Sequence, residues 1–329
     1  MITEEIHEGY GRYTIDRFEF EYGRVLENAS VEYSLTGTPK FDDEGNIVNA
    51  IVYCHSYSGD YASLNNLYEV TQEGSSFDKN EYFLISITSL GVPDSCSPSI
   101  TGLNQNFPAY SIKDAVNFKR QFLKEKLGIE SVHGILARGF GGYEAYTWAC
   151  EYPDEMDFLI IHSSSYKTGG YRYVIAKCMD TIVGSHDELN TESYDESLSK
   201  VMVSVNSLLY STYFSKRIFQ EMSNDEIDVL MDDFIDDGLF MDLYDFKFIN
   251  DSILNYNIED KLENIKAKVL IISSKCDIYY SPEFDSLPLK DMIKNSKVIL
   301  YDFVRKNADD DDFSYFMDDL NEFMSQFKK

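Results

Sequence analysis

The segment from Leu136 to Gly142 places the strongest constraint on how this chain can fold. An apolar run that begins at Val132 breaks there into small residues and reopens as a helix that extends to Cys150. Glycine adopts positive φ angles without a steric penalty, so a turn that contains Gly139 and Gly142 can be sharp. A buried strand that turns sharply into a helix is typical of a sheet covered by helices on both faces.

The same alternation of strand and helix continues on both sides of this turn. Continuous apolar runs predict buried strands, and apolar residues at helical spacing predict the helices between them. The predicted buried strands cover residues 50–54, 82–87, 132–137, 158–161, 269–272 and 298–301. Before them, segments 18–22 and 29–35 alternate apolar and polar residues, which predicts two half-buried antiparallel strands. The predicted fold is an α/β fold with a mostly parallel central sheet and helices on both faces.

The alternation stops between about Tyr166 and Asp260, where strand-like runs disappear. Segments 198–213 and 227–240 instead carry apolar residues at helical spacing. A helical insertion in a strand–helix series is most simply a cap over the sheet. We therefore predict a first part of the core at 1–165, a helical cap at 166–262 and a last part of the core at 263–329.

The charge balance of the chain excludes several classes of partner. The sequence has 57 Asp and Glu against 29 Lys and Arg, which gives a formal net charge of −28. Such a field repels nucleic acid and anionic membranes, and it weakens the attraction of anionic cofactors such as coenzyme A. A solvated acidic surface is the simplest reason for this charge. We expect neither a nucleic acid nor a membrane as a partner.

Targeting signals and cysteine spacing point to a cytoplasmic protein. The N-terminal residues lack the basic and apolar regions of a secretory signal, and no apolar run approaches the roughly 20 residues that span a bilayer. The five cysteines show no C-x-x-C spacing. We expect free thiols, no metal site and a cytoplasmic location.

Polar or small residues lie shortly after four of the predicted strands: His55, Gly139, His162 and Asp277. Ligands of open parallel sheets bind at the C-terminal ends of the strands, so these four residues are expected to line one rim. His55 and His162 are candidates for a working role there. A structural histidine, held by hydrogen bonds, is the alternative for each of them.

Several short motifs of the chain stand in a characteristic order. They occupy residues 53–59, 82–85, 90–91, 107–108, 111–114, 127–129, 141–145, 148–149 and 152–154. As a set they resemble the homoserine O-acetyltransferases over residues 18–165, and the resemblance resumes over 241–282. It implies an α/β-hydrolase core in which a Ser–Asp–His triad moves an acyl group from acyl-coenzyme A to homoserine. It also implies a homodimer formed through the cap, although the cap segment matches poorly.

Carried over position by position, the triad of this family is incomplete. Gly139 stands where the family has the serine of its nucleophile elbow. Asp277, within the segment 274–282, matches the acid position. Asp310 stands where the family has its histidine, and the last histidine of the sequence, His186, precedes Asp277. No histidine therefore follows the acid, as the chain order of a hydrolase triad requires.

The loop after the third predicted strand is expected to face the vacated nucleophile position. It contains His55, Ser56 and Tyr57. With the backbone amide of Phe140, this loop is expected to form an anion-binding nest where the oxyanion hole of the family lies.

Two charged residues near the vacated position are unusual. Arg138 replaces a small residue of the family, and a guanidinium in this place needs a carboxylate or an exit from the pocket. We predict an ion pair with Asp277 or Asp310. Asp310 belongs to an acidic run, 309–312, which also suits the first turn of the last helix.

Two cysteines lie close enough to be considered as substitute nucleophiles. Cys54 precedes His55, but adjacent residues of a strand point to opposite faces, which argues against a Cys–His pair. Cys276 precedes Asp277, whose carboxylate opposes formation of a thiolate. We interpret both as non-catalytic.

Three functions stay open at this level. The first is a pseudoenzyme or repurposed member of the family that binds a small molecule or a peptide in the old pocket. The second is an enzyme with other chemistry, such as proton transfer by His55, His162 or Asp277, as in atypical hydrolase-fold epimerases that lack Ser and His. The third is residual acyl transfer through another nucleophile, which alone needs a cofactor, acetyl-coenzyme A. The loss of two triad members makes the third the weakest.

Overall fold

A computed structural model of the chain describes residues 6–185, 196–302 and 315–327. These residues form one eight-stranded sheet with helices around it. Its strands are β1 (Gly9–Glu19), β2 (Val25–Thr36), β3 (Ala50–Cys54), β4 (Phe83–Ile87), β5 (Val132–Arg138), β6 (Met156–His162), β7 (Lys268–Ser274) and β8 (Ser296–Tyr301).

The strand order in the sheet is β1-β2-β4-β3-β5-β6-β7-β8. Strand β2 pairs antiparallel with β1 and β4, and every pairing from β4 to β8 is parallel. The predicted fold class is therefore confirmed. Because β3, β5, β6 and β7 are neighbours, the residues that follow them meet at one edge of the sheet.

The first strand lies earlier in the chain than predicted. Residues 18–22 were expected to be a strand, but β1 ends at Glu19 and the chain then turns towards β2. In this turn the Phe20 amide donates to the Arg24 carbonyl at 2.9 Å, and Gly23 has a φ of 78°. The prediction was wrong because the apolar–polar alternation continues through a turn that the positive φ of a glycine makes possible.

The helices lie between and around these strands. In chain order they are α1 (Tyr68–Thr71), α2 (Pro98–Thr101), α3 (Ile112–Phe122), α4 (Gly141–Glu151), α5 (Gly170–Gly184), α6 (Glu196–Tyr213), α7 (Lys216–Glu221), α8 (Asn224–Phe240), α9 (Leu243–Leu254), α10 (Pro282–Asp285), α11 (Leu289–Met292) and α12 (Met317–Ser325). Short 3-10 or π turns occupy Tyr61–Leu67, Asn104–Asn106, Leu123–Leu127 and Glu259–Asn264. Within the described ranges, no helix has the length and apolarity to cross a membrane.

The side chains of the buried strands alternate between two hydrophobic layers. Cys54 and Ala137 pack in the layer that contains α3 and α4, whereas Tyr53 and Leu136 pack in the layer that contains α12. This alternation is the two-residue period of a strand. It also decides which layer a polar residue at the end of a strand enters.

Helices α5 to α9 follow one another between β6 and β7, in the segment predicted as a cap. They have a hydrophobic cluster of their own, which includes Met179, Met202 and Leu243. One link to the core is the buried ion pair between Arg172 of α5 and Asp285 of α10. The boundaries of the three predicted segments remain a prediction.

Candidate functional site

The turn between β5 and α4 has the form of a nucleophile elbow. Gly139 has a φ of 53°, in the left-handed region that favours glycine. Its amide donates to the carbonyl of His162 at 3.1 Å, and its carbonyl accepts from the amide of Gly142 at 3.0 Å. The first of these backbone hydrogen bonds connects the turn to the neighbouring strand β6.

The glycines of the elbow differ in the space around them. A Cβ atom on Gly141 would lie 2.1 Å from the carbonyl oxygen of Cys54, and one on Gly142 would lie 2.1 Å from Oγ of Ser164. A Cβ atom on Gly139 would lie 3.5 Å from Cβ of Ser56, which is an ordinary contact. Close packing therefore requires glycine at 141 and 142, whereas position 139 has room for a side chain and has none.

Asp277, at the predicted acid position, is held by the backbone that follows it. Its Oδ1 atom accepts from the amides of Tyr279 at 2.9 Å and Tyr280 at 2.8 Å. Ser163 and His162 also interact favourably with its charged form. Burial nevertheless raises the pKa of Asp277 above its ordinary value, because desolvation outweighs these interactions.

His162 lies in the layer of α12, as its two-residue spacing from Ile160 requires. Its Nε2 atom is 2.7 Å from Oη of Tyr301, and its ring packs against Phe316. Arg138 and His162 both line a small cleft on this side of the sheet, and neither lines the large cavity described below. The two residues predicted for the pocket are therefore directed elsewhere.

The predicted partners of Arg138 have different outcomes. The structure describes contacts of Asp277 with the backbone, Ser163 and His162, so a pair between Arg138 and Asp277 stays a prediction. Asp310, the predicted alternative and the position of the missing histidine, lies outside the described residues, as does His186.

His55 lies beneath the rim rather than on it. Its ring is fully buried, with Nδ1 2.8 Å from the Ser56 carbonyl and Nε2 accepting from the Ser89 amide at 3.0 Å. Burial, with the nearby Lys119, lowers the pKa of His55 to about 3. The ring is neutral and joins two loops. His55 therefore matches the alternative of a structural histidine and not the predicted place in the pocket.

A cavity of about 700 Å³ opens at this edge of the sheet. Its floor comes from the core, where Tyr57 and Phe140 of the predicted nest lie beside Tyr279 and Tyr280. The Phe140 amide has no acceptor among the described residues. The remaining wall comes from α5, α6, α8 and α9 of the predicted cap, none of whose residues was predicted to belong to the site.

The wall of this cavity carries carboxylates and, among its described residues, no Lys, Arg or His. The acidic residues are Asp60, Asp94, Asp233, Asp237, Asp242 and Asp245. Of these, Asp245 is buried and accepts from the amide of Ser99 at 2.8 Å and from its hydroxyl. Burial raises the pKa of Asp245 to about 6, against the lowering effect of these hydrogen bonds.

Two buried polar atoms of the cavity wall have no hydrogen-bond partner among the described residues. They are Oη of Tyr57 and Oδ1 of Asn250, whose amide nitrogen donates to the Ala176 carbonyl at 3.2 Å. Asn250 is 2% exposed. Buried polar atoms without a partner are uncommon and costly, so a hydrogen bond from a ligand to Asn250 would remove an energetic penalty.

The two cysteines that were considered as substitute nucleophiles are poorly placed for that role. Cys54 is fully buried beside Lys119 and Glu144, and burial raises its pKa to about 12. Cys276 is half-buried, and it does not line the large cavity. In the described part of the chain, no group of three or more His, Cys, Asp or Glu side chains is arranged to hold a metal ion.

The chain is similar to proteins named as acyltransferases and to proteins named as esterases. The chain is 37% identical over 301 residues to a "Probable acyltransferase" of Methanothermobacter thermautotrophicus, with 92% of each chain covered. It is 22% identical over 302 residues to a homoserine O-succinyltransferase of Acinetobacter baumannii, which covers 83% of this chain and 74% of that one.

The fold also matches solved structures, although no protein-family profile matches the chain. The homoserine O-acetyltransferase of Staphylococcus aureus superposes with a TM-score of 0.79 at 18% identity, with 98% of each chain covered. The elbow, the strand order and these relatives agree. The chain belongs to the homoserine O-acetyltransferase-like acyltransferases of the α/β-hydrolase fold.

Proposed function

We propose that this member of the family is a pseudoenzyme or repurposed protein that binds a small molecule or a peptide in the cavity under its cap. The observation that carries the proposal is position 139, where an elbow with room for a side chain holds a glycine. The sequence also has no histidine after Asp277. Without an acyl carrier and its base, the conventional triad mechanism has neither a nucleophile nor a proton acceptor.

Within the described part of the chain, His55, His162 and Cys54 do not replace the missing members of the triad. Both ring nitrogens of His55 face backbone groups, and Nε2 of His162 faces Tyr301. The Cys54 thiol is buried, with a pKa of about 12, so it is protonated at neutral pH. This supports a binding role over acyl transfer through a substitute nucleophile.

The cavity itself supports binding. Small-molecule sites are usually concave, mostly apolar volumes of about 300 to 1,000 Å³ with a few polar groups. The cavity of about 700 Å³ has this size, and its wall combines aromatic rings with the unpartnered acceptor of Asn250.

The test is intact-mass spectrometry of the purified chain after incubation with acetyl-coenzyme A and, separately, with p-nitrophenyl acetate. We expect no covalent acyl adduct and no burst of coenzyme A or nitrophenol. The Gly139→Ser variant should also form no adduct and show no burst, because the restored hydroxyl still lacks a histidine to accept its proton. The Staphylococcus aureus homoserine O-acetyltransferase serves as the positive control for the assay.

A stable acyl adduct on any residue of the wild-type chain would overturn the proposal and favour acyl transfer through another nucleophile. Native mass spectrometry of the untreated protein provides a second readout. A co-purified small molecule or peptide, released on denaturation, is the expected result if the cavity binds its ligand tightly.

A further inference from the structure

The cavity under the cap has an unusual combination of charge and surface. Carboxylates and aromatic rings share its wall, while no described lining residue is Lys, Arg or His. A polyanion entering this space meets repulsion without a compensating side-chain cation. An organic cation instead meets carboxylates and the faces of aromatic rings, both of which attract it.

The clearest part of this wall is one face of α8. Leu230, Asp233, Phe234 and Asp237 all line the cavity, and their spacing of three and four residues places them on one side of the helix. Asp233 and Asp237 are exposed to the cavity, and neither has an ion-pair partner among the described residues. The two carboxylates therefore stand within an otherwise apolar, ligand-facing stripe.

Helix α8 gains nothing from these two charges. Carboxylates four residues apart on a helix repel each other. Negative charge near a helix C-terminus is also unfavourable, and the last turn of α8 contains no basic residue. Within the described residues no contact offsets this cost, so both carboxylates remain available to a cation in the cavity.

Aromatic rings border the same stripe. Tyr213 of α6 lies beside Phe234, with ring centroids 5.0 Å apart. Tyr57, Phe140 and Phe246 form a second aromatic group across the cavity, in which Tyr57 contacts each of the other two rings edge to face. Rings of this kind hold both the apolar body of a ligand and, through cation–π contacts, its positive group.

A third observation points to a hydrogen-bond donor on the ligand. The Oδ1 atom of Asn250 is buried in the cavity wall without a partner, and it can accept but not donate. A protonated amine supplies the donors that this atom lacks, and a carboxylate or a phosphate supplies none. The carboxylates, the rings and this acceptor thus favour the same ligand chemistry.

We infer that the cavity binds an organic cation, an ammonium group attached to an apolar or aromatic body, and excludes polyanionic acyl carriers. The inference rests on the proposed function, because it names the ligand class of the same cavity. If the inference is right, this chain differs from an acyl-coenzyme A-dependent enzyme in the charge of its ligand as well as in its missing triad residues.

The test uses three probes with one phenylethyl body and different charges: phenethylamine, phenethyl alcohol and phenylpropionate. Binding to the full chain is measured at pH 7.5 by calorimetry and by ligand-observed NMR, with acetyl-coenzyme A as the polyanionic probe. We expect phenethylamine to bind at least about fivefold more tightly than the alcohol, with the two anions weakest. Added salt should weaken binding of the amine and leave that of the alcohol unchanged.

The double variant Asp233→Asn, Asp237→Asn should reduce this preference for the amine to about twofold or less. The control, Asp232→Asn, Asp236→Asn, changes the same charge at the same spacing on the same helix, at positions that do not line the cavity. It should keep the preference. Because both pairs relieve repulsion on an exposed helix, both variants should fold, which circular dichroism and thermal melting check.

Equal affinity for the three probes, no binding of the amine at millimolar concentration, or equal loss in both double variants would overturn the inference. These outcomes leave the proposed binding role in place, because that role fails only if the chain forms an acyl adduct. The two proposals therefore fail in distinguishable ways.

Discussion

Gly139 and Ser56 face each other across the elbow with space for one more carbon, since a Cβ atom on Gly139 would lie 3.5 Å from that of Ser56. Two residues further on, Gly141 has no such space. Its Cβ atom would lie 2.1 Å from the Cys54 carbonyl oxygen, which belongs to strand β3 and has little freedom to move.

This difference predicts that an alanine destabilises the protein less at position 139 than at position 141. Gly139→Ala should cost about 1 to 2 kcal/mol of unfolding free energy, because its φ of 53° is unfavourable for a residue with a Cβ atom. Gly141→Ala should cost roughly 3 kcal/mol or more, because a backbone clash forces β3 and α4 apart. Urea unfolding of both variants measures the difference. Equal costs would show that the elbow packs more loosely than the structure indicates.

The α/β core was predictable because buried parallel strands are continuous apolar runs in the sequence. The predicted strand 50–54 coincides with β3, and 132–137 differs from β5 by one residue. Topology then brings the ends of these strands to one edge, so the positions of Gly139 and Asp277 near the site followed from the order of elements.

Side-chain direction was less predictable. The two-residue period of a strand places Arg138 with Leu136, and His162 with Ile160, in the layer of α12. The prediction that Arg138 and His162 line the pocket did not follow this period. His55 was harder, because its ring turns towards the amide of Ser89, in a loop whose course the sequence does not specify.

The cap wall of the cavity was not predictable from its pattern. Leu230 and Phe234 have the spacing of an ordinary buried face, so α8 would be expected to place them in a core. In the structure they pack against the cluster of Tyr210, Phe214 and Ile218, and they also line the cavity with Asp233 and Asp237. The only signal was that carboxylates interrupt the apolar stripe, and in a chain this acidic such an interruption is common.

Asp245 connects cap and core, and its titration should make stability depend on pH. It lies on α9 and accepts from the amide and hydroxyl of Ser99 on α2. Its pKa is raised from 3.8 to about 6, mainly by burial, so the folded state binds this proton more tightly than the unfolded state. Its contribution to the unfolding free energy therefore falls between pH 4 and 6 by about 3 kcal/mol and is constant above that range.

The buried His55 has the opposite effect over nearly the same range. Its pKa is lowered from 6.5 to about 3, so the unfolded state binds the proton more tightly and stability rises with pH. In the wild-type chain the two slopes partly cancel. Asp245→Asn keeps an acceptor for Ser99. It should leave the rise of the unfolding free energy with pH, which is caused by His55, uncompensated.

Urea unfolding of wild type and Asp245→Asn at intervals from pH 4 to 8 tests this expectation. The variant should gain stability relative to the wild type as the pH rises to about 6, and the gain should then level off. Asp232→Asn, which removes an exposed carboxylate on α8, is the matched control for the loss of one charge. Parallel curves for Asp245→Asn and the wild type would show that this carboxyl titrates alike in the folded and unfolded states.

Beside the elbow, Lys119 of α3 and Glu144 of α4 form an ion pair in the interior, with Nζ 2.7 Å from Oε2 and both side chains 0% exposed. Burial lowers the pKa of Lys119, but the nearby Cys54 and Glu144 more than offset this effect, so the ammonium stays charged. The pair therefore anchors the helix that follows the elbow to α3 through two buried charges that compensate each other.

Removing one partner should consequently cost much more than removing both. Lys119→Met or Glu144→Leu alone should lower the unfolding free energy by roughly 3 to 5 kcal/mol, because each leaves a buried charge unpaired. The double variant replaces both charges with apolar side chains and should recover most of that loss. The exposed pair Arg217 and Glu221 on α7 is the control, where single substitutions should cost less than about 1 kcal/mol. Additive losses in the buried pair, measured as a double-mutant cycle by urea unfolding, would contradict the coupling, since independent sites add.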